Sequence, residues 1–133
     1  MVPAVFLNYT TDIPVVDQAH LRLIELVECI AVMSRAADHT GIVPALEELH
    51  AIQADHFSAE ERIMAEKGFP TLRYGDHVMD HAKMMRHLDE VMRRSDNFTS
   101  RYSDTDFVRN LLVHIDQYDL RFVEWLHEQE KPK

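Results

Sequence analysis

A single cysteine, Cys29, removes several chemistries at once. One thiol allows no internal disulfide, no thiolate zinc cage and no cysteine-ligated iron–sulfur cluster, and such usage fits a reducing compartment. Glycine and proline are scarce, at three and five in 133 residues. Since β-branched residues do not dominate the apolar runs either, little is present to build many short strands. Positive charge is in deficit, with 14 Lys and Arg against 23 Asp and Glu and a formal charge of -9. That balance repels a phosphate backbone or an anionic bilayer, so neither nucleic acid nor membrane is an expected partner. The stretch Met1 to Thr11 lacks a basic start and has only Pro3 to Leu7 as an apolar run. This is too short for a signal-peptide core or a membrane span, and a cytoplasmic protein is expected.

What is present is helical periodicity. A 46% hydrophobic fraction suffices for one ordinary core, and the length suits one domain over 1–133. Four amphipathic stretches can be read. The first runs from about Val16 to Ala37 and is ended by His39, Thr40 and Gly41. The second opens near Pro44, a residue suited to a first helical turn, carries Leu49, Ile52, His56, Glu60 and Ile63 inward, and stops at Lys67 to Pro70. The third spans about Asp76 to Arg94 with His77, His81, Met84, Met85, Leu88 and Val91 inside. After a loop from Ser95 to Ser103, the fourth runs from about Asp104 to Glu128, with Ser103 or Asp104 as N-cap. Short connections favour an all-α, up-down-up-down antiparallel four-helix bundle. Residues 1–15 form an extended N-terminal arm that packs Phe6, Leu7, Tyr9 and Ile13, and residues 129–133 a frayed tail.

Nine histidines are many for this length, and their placement carries the chemistry. His56 and Glu60 are four apart, as are His77 and His81, so each pair lies on one helical face. His114 and Asp119 are five apart, roughly 140° around an ideal helix and so on opposite edges of a broad inner stripe. Both can point inward if the centre holds two ions. In an antiparallel bundle the start of helix one with His20, the last third of helix two, the start of helix three and the middle of helix four all reach one level. Seven potential ligands meet there. Burying five imidazoles and two carboxylates without partners would cost several kcal/mol, and a metal centre supplies the missing bonds.

The series His20, His56-x-x-x-Glu60, His77-x-x-x-His81 and His114-x-x-x-x-Asp119 resembles the hemerythrin family in its single-domain bacterial form, bacteriohemerythrin. Asp17, the run His56 to Glu61 continuing to Met64 and Gly68-Phe69-Pro70, and Ile115 agree with it. The resemblance implies two iron ions with an oxo or hydroxo bridge. It further implies that Glu60 and Asp119 bridge the irons, that His77, His81 and His114 hold one, and that His20 and His56 hold the other. Two octahedral ions need about twelve donor positions, and this set fills all but one, on the two-histidine iron, where dioxygen would bind. Reversible binding for storage, delivery or sensing follows from the resemblance, with an oxygen-consuming enzyme or a reductant as partner. Scavenging of peroxide or nitric oxide by the same centre is the enzymatic alternative. The chain departs from the family pattern at Ala19, where Gln is common, and at Phe6, where Trp is. Gln117 and Tyr118 are expected near the open position, where a polar group would hasten autoxidation.

Other residues are assigned no chemistry. His50 and His87 fall off the inner stripes, His39 in a loop and His127 near a helix end, and the methionines read mostly as core filler. Cys29 reads as a small buried residue and Glu61 as a solvated neighbour rather than an eighth ligand.

Overall fold

The computed structural model describes Thr11, residues 13–36, 39–93 and 104–131. The arm residues Phe6, Leu7 and Tyr9 and the loop Ser95 to Ser103 lie outside the described residues. The helices are α1 (Pro14–Arg35), α2 (His39–Lys67), α3 (Thr71–Arg93) and α4 (Asp104–His114). A π-helical segment, Ile115–Asp119, then leads into α5 (Leu120–Glu130). His114, Asp119 and Leu120 keep helical dihedrals, so α4, the π segment and α5 form one continuous rod, the fourth of the bundle. Among the described residues no helix is long and apolar enough to cross a membrane.

The first three helices start earlier than periodicity suggests, and the fourth starts at Asp104 as expected. Pro14 takes the first helical position after the extended Ile13, where a missing N–H costs nothing. Thr11 ties that start down: its N–H and its hydroxyl both donate to Asp17 Oδ1, at 2.7 and 2.8 Å, and Ile13 N–H donates to Thr11 Oγ1 at 3.2 Å. Pro14 and Val15 therefore belong to α1 and not to an arm. α2 begins at His39 and contains Pro44, so His39 is helical and Gly41 does not break the chain. The burial of Ile42, Ala45 and Leu46 in the core outweighs the lost hydrogen bond and the weak propensity of glycine. α3 likewise starts at Thr71 and passes through Gly75, and Tyr74 N–H donates to Pro70 O at 2.8 Å.

The α2 end is a Schellman motif. Phe69 N–H donates to Met64 O at 3.0 Å and Gly68 N–H to Ala65 O at 3.3 Å, with Gly68 at φ 74, the left-handed conformation such a cap requires. Phe69 then packs beside Met64. The chain thereby reverses in three residues.

Two apolar clusters define the bundle axis. One contains Leu23, Ile30, Ile42, Leu49, Leu88, Val91, Leu111 and Ile115. The other contains Met64, Phe69, Phe122, Val123 and Leu126, with Ile13 and Tyr74 packed against it. Along the chain, the first rod passes from the second cluster to the first, α2 returns, α3 goes out again and the last rod returns. This is the up-down-up-down order. On every rod the chain crosses a gap between the clusters, and that gap holds His20, then His56 and Glu60, then His77 and His81, then Asp119. Two side chains differ from their sequence reading: Cys29 is exposed, as it lies on the outer side of the Leu26, Val27 and Ile30 stripe, and Met79 is exposed on α3.

Candidate metal centre

All seven residues picked out by spacing are buried, none more than 7% exposed. The least obvious is the pair His114 and Asp119. An α-helix would place them far apart around the axis, but the segment between them closes a wider turn, with Leu120 N–H bonded to Ile115 O, five residues back. A π turn brings residues five apart back onto one face. The expectation that they sit on opposite edges of the stripe is corrected: both imidazole and carboxylate face the same point.

The donor atoms form two overlapping sets, each with its atoms within 4.8 Å of one another. One is Glu60, His77, His81, His114 and Asp119, and the other is His20, His56, Glu60 and Asp119. Each shared carboxylate divides its oxygens between the sets. Glu60 Oε1 lies 2.7 Å from His77 Nε2 and 3.0 Å from His81 Nε2, while Oε2 lies 3.8 Å from His56 Nε2. Asp119 Oδ1 lies 2.9 Å from His77 Nε2 and 3.0 Å from His114 Nε2, while Oδ2 lies 2.8 Å from His20 Nε2 and 3.9 Å from His56 Nε2. One oxygen toward each set is the disposition a bridging carboxylate needs.

Several of these close approaches are not hydrogen bonds. His114 Nε2 and Asp119 Oδ2 are buried and out of line for bonding with any described partner, despite neighbours at 3.0 and 2.8 Å. The Nε2 atoms of His20 and His56, 3.1 Å apart, form a hydrogen bond when one of them carries the proton. Buried donor atoms that converge on a common space without a hydrogen-bond partner, as at His114 Nε2 and Asp119 Oδ2, fit metal ions. The donor chemistry, imidazole nitrogen with carboxylate oxygen and no thiolate, suits iron and related transition metals.

Electrostatics point the same way. Burial tends to raise the Asp119 carboxyl, but the positive charge of His114, with His20 and His56 close by, holds it well below its usual 3.8. Burial tends to lower His114, yet Asp119 first and then Asp80 and Glu60 push it up to about 10. His77 is raised against burial by its hydrogen bonds to Asp119 and Glu60. Two buried carboxylates thus demand positive charge, which protons supply in part and metal ions supply fully.

Around the donors stand residues that spacing alone did not single out. Asp80 Oδ2 accepts from His114 Nδ1 at 2.6 Å, and Glu61 Oε2 accepts from His81 Nδ1 at 2.8 Å. The His114 hydrogen bond is the main reason that the Asp80 carboxyl lies below its usual value. Glu61 is therefore neither a ligand nor merely a solvated neighbour. Both carboxylates adjoin a donor in sequence, Glu61 after Glu60 and Asp80 before His81, and this adjacency was the available signal. Phe57 stacks on His81 with ring centroids 3.9 Å apart and tilts against His114 and His56.

Gln117 and Tyr118 stand beside the His77 and His114 imidazoles. Tyr118 is half-buried and stacks on His114, centroids 5.3 Å apart, with His77 at 5.4 Å. Gln117 is exposed, in a surface hollow with Phe69, Arg73, Asp76, His77, Tyr118 and Arg121. Both lie on the three-histidine side. His50 is paired with Asp89 at 3.0 Å, away from the cluster.

Comparison with known proteins agrees with this geometry. Residues 11–126 match the family model of the hemerythrin HHE cation binding domain. Bacteriohemerythrins of Pseudomonas paraeruginosa and Pseudomonas aeruginosa are 29% identical over 87 residues, which is 65% of this chain and 56% of theirs. The chain spans only about half the length of these relatives. No solved structure matches significantly. The family match over most of the chain, the all-helical bundle and the buried cluster of histidines and carboxylates agree: the chain belongs to the hemerythrin family.

Proposed function

We propose that this protein holds two iron ions between its four rods and binds dioxygen reversibly, for storage, delivery or sensing. The observation that carries the reading is the division of Glu60 and Asp119, each with one oxygen toward the three-histidine set and one toward His20 and His56. In this reading His77, His81 and His114 hold one ion and His20 and His56 the other, with an oxo or hydroxo bridge completing the pair. Such a pair, when bound, would supply the electrons that reversible binding of dioxygen requires.

The residues of the chain do the rest. The set around His20 offers four donors against five in the other, so the open position falls on its side. Leu23, Ile24 and Ile115 on one side of the layer and Met64 and Phe122 on the other are at most 2% exposed. They keep water and stray protons from the donors, which favours release of the gas over loss of the electrons. The polar groups that would have argued for a scavenger of peroxide or nitric oxide, Gln117 and Tyr118, lie on the His77 and His114 side. Dioxygen is the proposed ligand and a cellular reductant the proposed partner that restores the ferrous state.

The test is an absorption spectrum of the anaerobic, reduced, iron-loaded protein, recorded before air, after air and after the gas is removed. A charge-transfer band that appears and disappears with oxygen supports the reading. Irreversible bleaching to the ferric form, with turnover of peroxide and a reductant, replaces it with the scavenger.

A further inference from the structure

The two halves of the cluster are not supported equally. In the three-histidine half, His114 and His81 each donate Nδ1–H to a carboxylate, Asp80 at 2.6 Å and Glu61 at 2.8 Å. Among the described residues, the third imidazole of that half, His77, and His20 in the other half each have a buried Nδ1 without a hydrogen-bond partner, so a carboxylate backs two of the three imidazoles in the first half and does not back His20 in the second. A carboxylate on Nδ1 fixes the tautomer that leaves Nε2 free, locks the ring's rotation and makes the imidazole a stronger donor. His81 is held further by the face of Phe57, with ring planes 10° apart. The supporting groups come from different helices: Asp80 on α3 holds His114 on the last rod, and Glu61 on α2 holds His81 on α3. Three of the four rods are therefore locked around one half before any ion arrives.

We propose that Asp80 and Glu61 are positioning residues that make the three-histidine half the tight half, so that it takes up metal first and keeps it when the His20 and His56 half is emptied. The proposal rests on the two-ion reading above. Ordered filling follows from the count of donors, five against four, and from preorganisation: in the first half His81 and His114 are each held by a carboxylate on Nδ1, whereas among the described residues none holds His20. Once the first ion is in place, Glu60 and Asp119 are fixed too, and their remaining oxygens are presented to the second.

Metal-free protein titrated anaerobically with Co(II), followed by calorimetry and by the visible ligand-field bands, separates the steps. The wild type is expected to bind two ions in two resolved steps. Asp80→Ala and Glu61→Ala are each expected to weaken the first step about 10- to 100-fold, the range for loss of a group behind a metal-bound histidine, while the second-step affinity is much less affected. Asp80→Glu restores part of the loss. His56→Ala keeps one ion at the wild-type first-step affinity, whereas His114→Ala loses that step. Melting of each metal-free variant checks that it is folded, and Asp80→Asn, which keeps the acceptor but not the charge, serves if Asp80→Ala is not. Two equal steps in the wild type, an Asp80→Ala loss confined to the second step, or equal losses in both overturn the proposal while leaving two ions in place. Fewer than two ions in the wild type overturns the two-ion reading and this proposal with it.

Discussion

Replacing Asp119 with Asn tests the centre of the cluster, because this side chain alone faces four imidazoles, His20, His56, His77 and His114. The amide nearly matches the carboxylate in volume, so packing is conserved and only charge and donor quality change. In the metal-free protein at pH 7, a His114 pKa of about 10 in place of 6.5 corresponds to about 4 kcal/mol favouring the folded, protonated form. Asp119 supplies the two largest of the influences that raise it. Breaking a buried ion pair from one side costs about 3–5 kcal/mol, and relief from burying the carboxylate returns part of that. A loss of about 2–4 kcal/mol is expected, a drop in Tm on the order of 10 °C for a chain of this size. The amide is also a poor ligand to two ions at once, so metal content should fall from two per chain to one or none. Thermal melts after chelation and metal analysis before it measure the two effects. An unchanged Tm with both ions retained would refute the placement of Asp119 between the halves.

Other outcomes follow from the same structure. The raised values of His114 and His77 give stability that is complete below 6.5 and is lost as pH rises through the folded value, about 10 for His114. The lowered Asp119 gives stability present above 3.8 and lost only as pH falls through its still lower folded value. Metal-free protein should therefore melt highest between roughly pH 4 and 6.5 and progressively lower toward pH 10, with a flatter fall in Asp119→Asn; a Tm that climbs over that range contradicts the assignment. Gly68→Ala, at φ 74 with nothing within 4 Å of the added Cβ, should cost about 1 kcal/mol in urea melts without changing metal content. Phe122→Ala should cost about 3–5 kcal/mol, since Phe122 is 2% exposed among Phe69, Trp125 and the second apolar cluster.

The layer of seven polar residues was legible in the sequence because helical spacing fixes faces and antiparallel order fixes depth; both held for His20, His56, Glu60, His77 and His81. The start of α2 was not, since Gly41 and Pro44 read locally as punctuation while Ile42 and Leu46 make the first turn of α2 worth forming through contacts with α1. The π turn escaped a reading that assumed 100° per residue, although a five-residue gap between two inward polar groups was itself a hint. Asp80 and Glu61 lie about 100° round from the donors beside them, a flank that looks solvated until a neighbouring helix brings His114 or His81 to meet it. Cys29 shows the converse: a small apolar residue next to a core stripe is not thereby in it.

The most direct test is anomalous diffraction at the iron edge from crystals of protein expressed with ample iron. Two resolved peaks between Glu60 and Asp119, with three histidines on one side and two on the other, are the result this account requires. One peak, no peak, or iron bound elsewhere on the surface would contradict it.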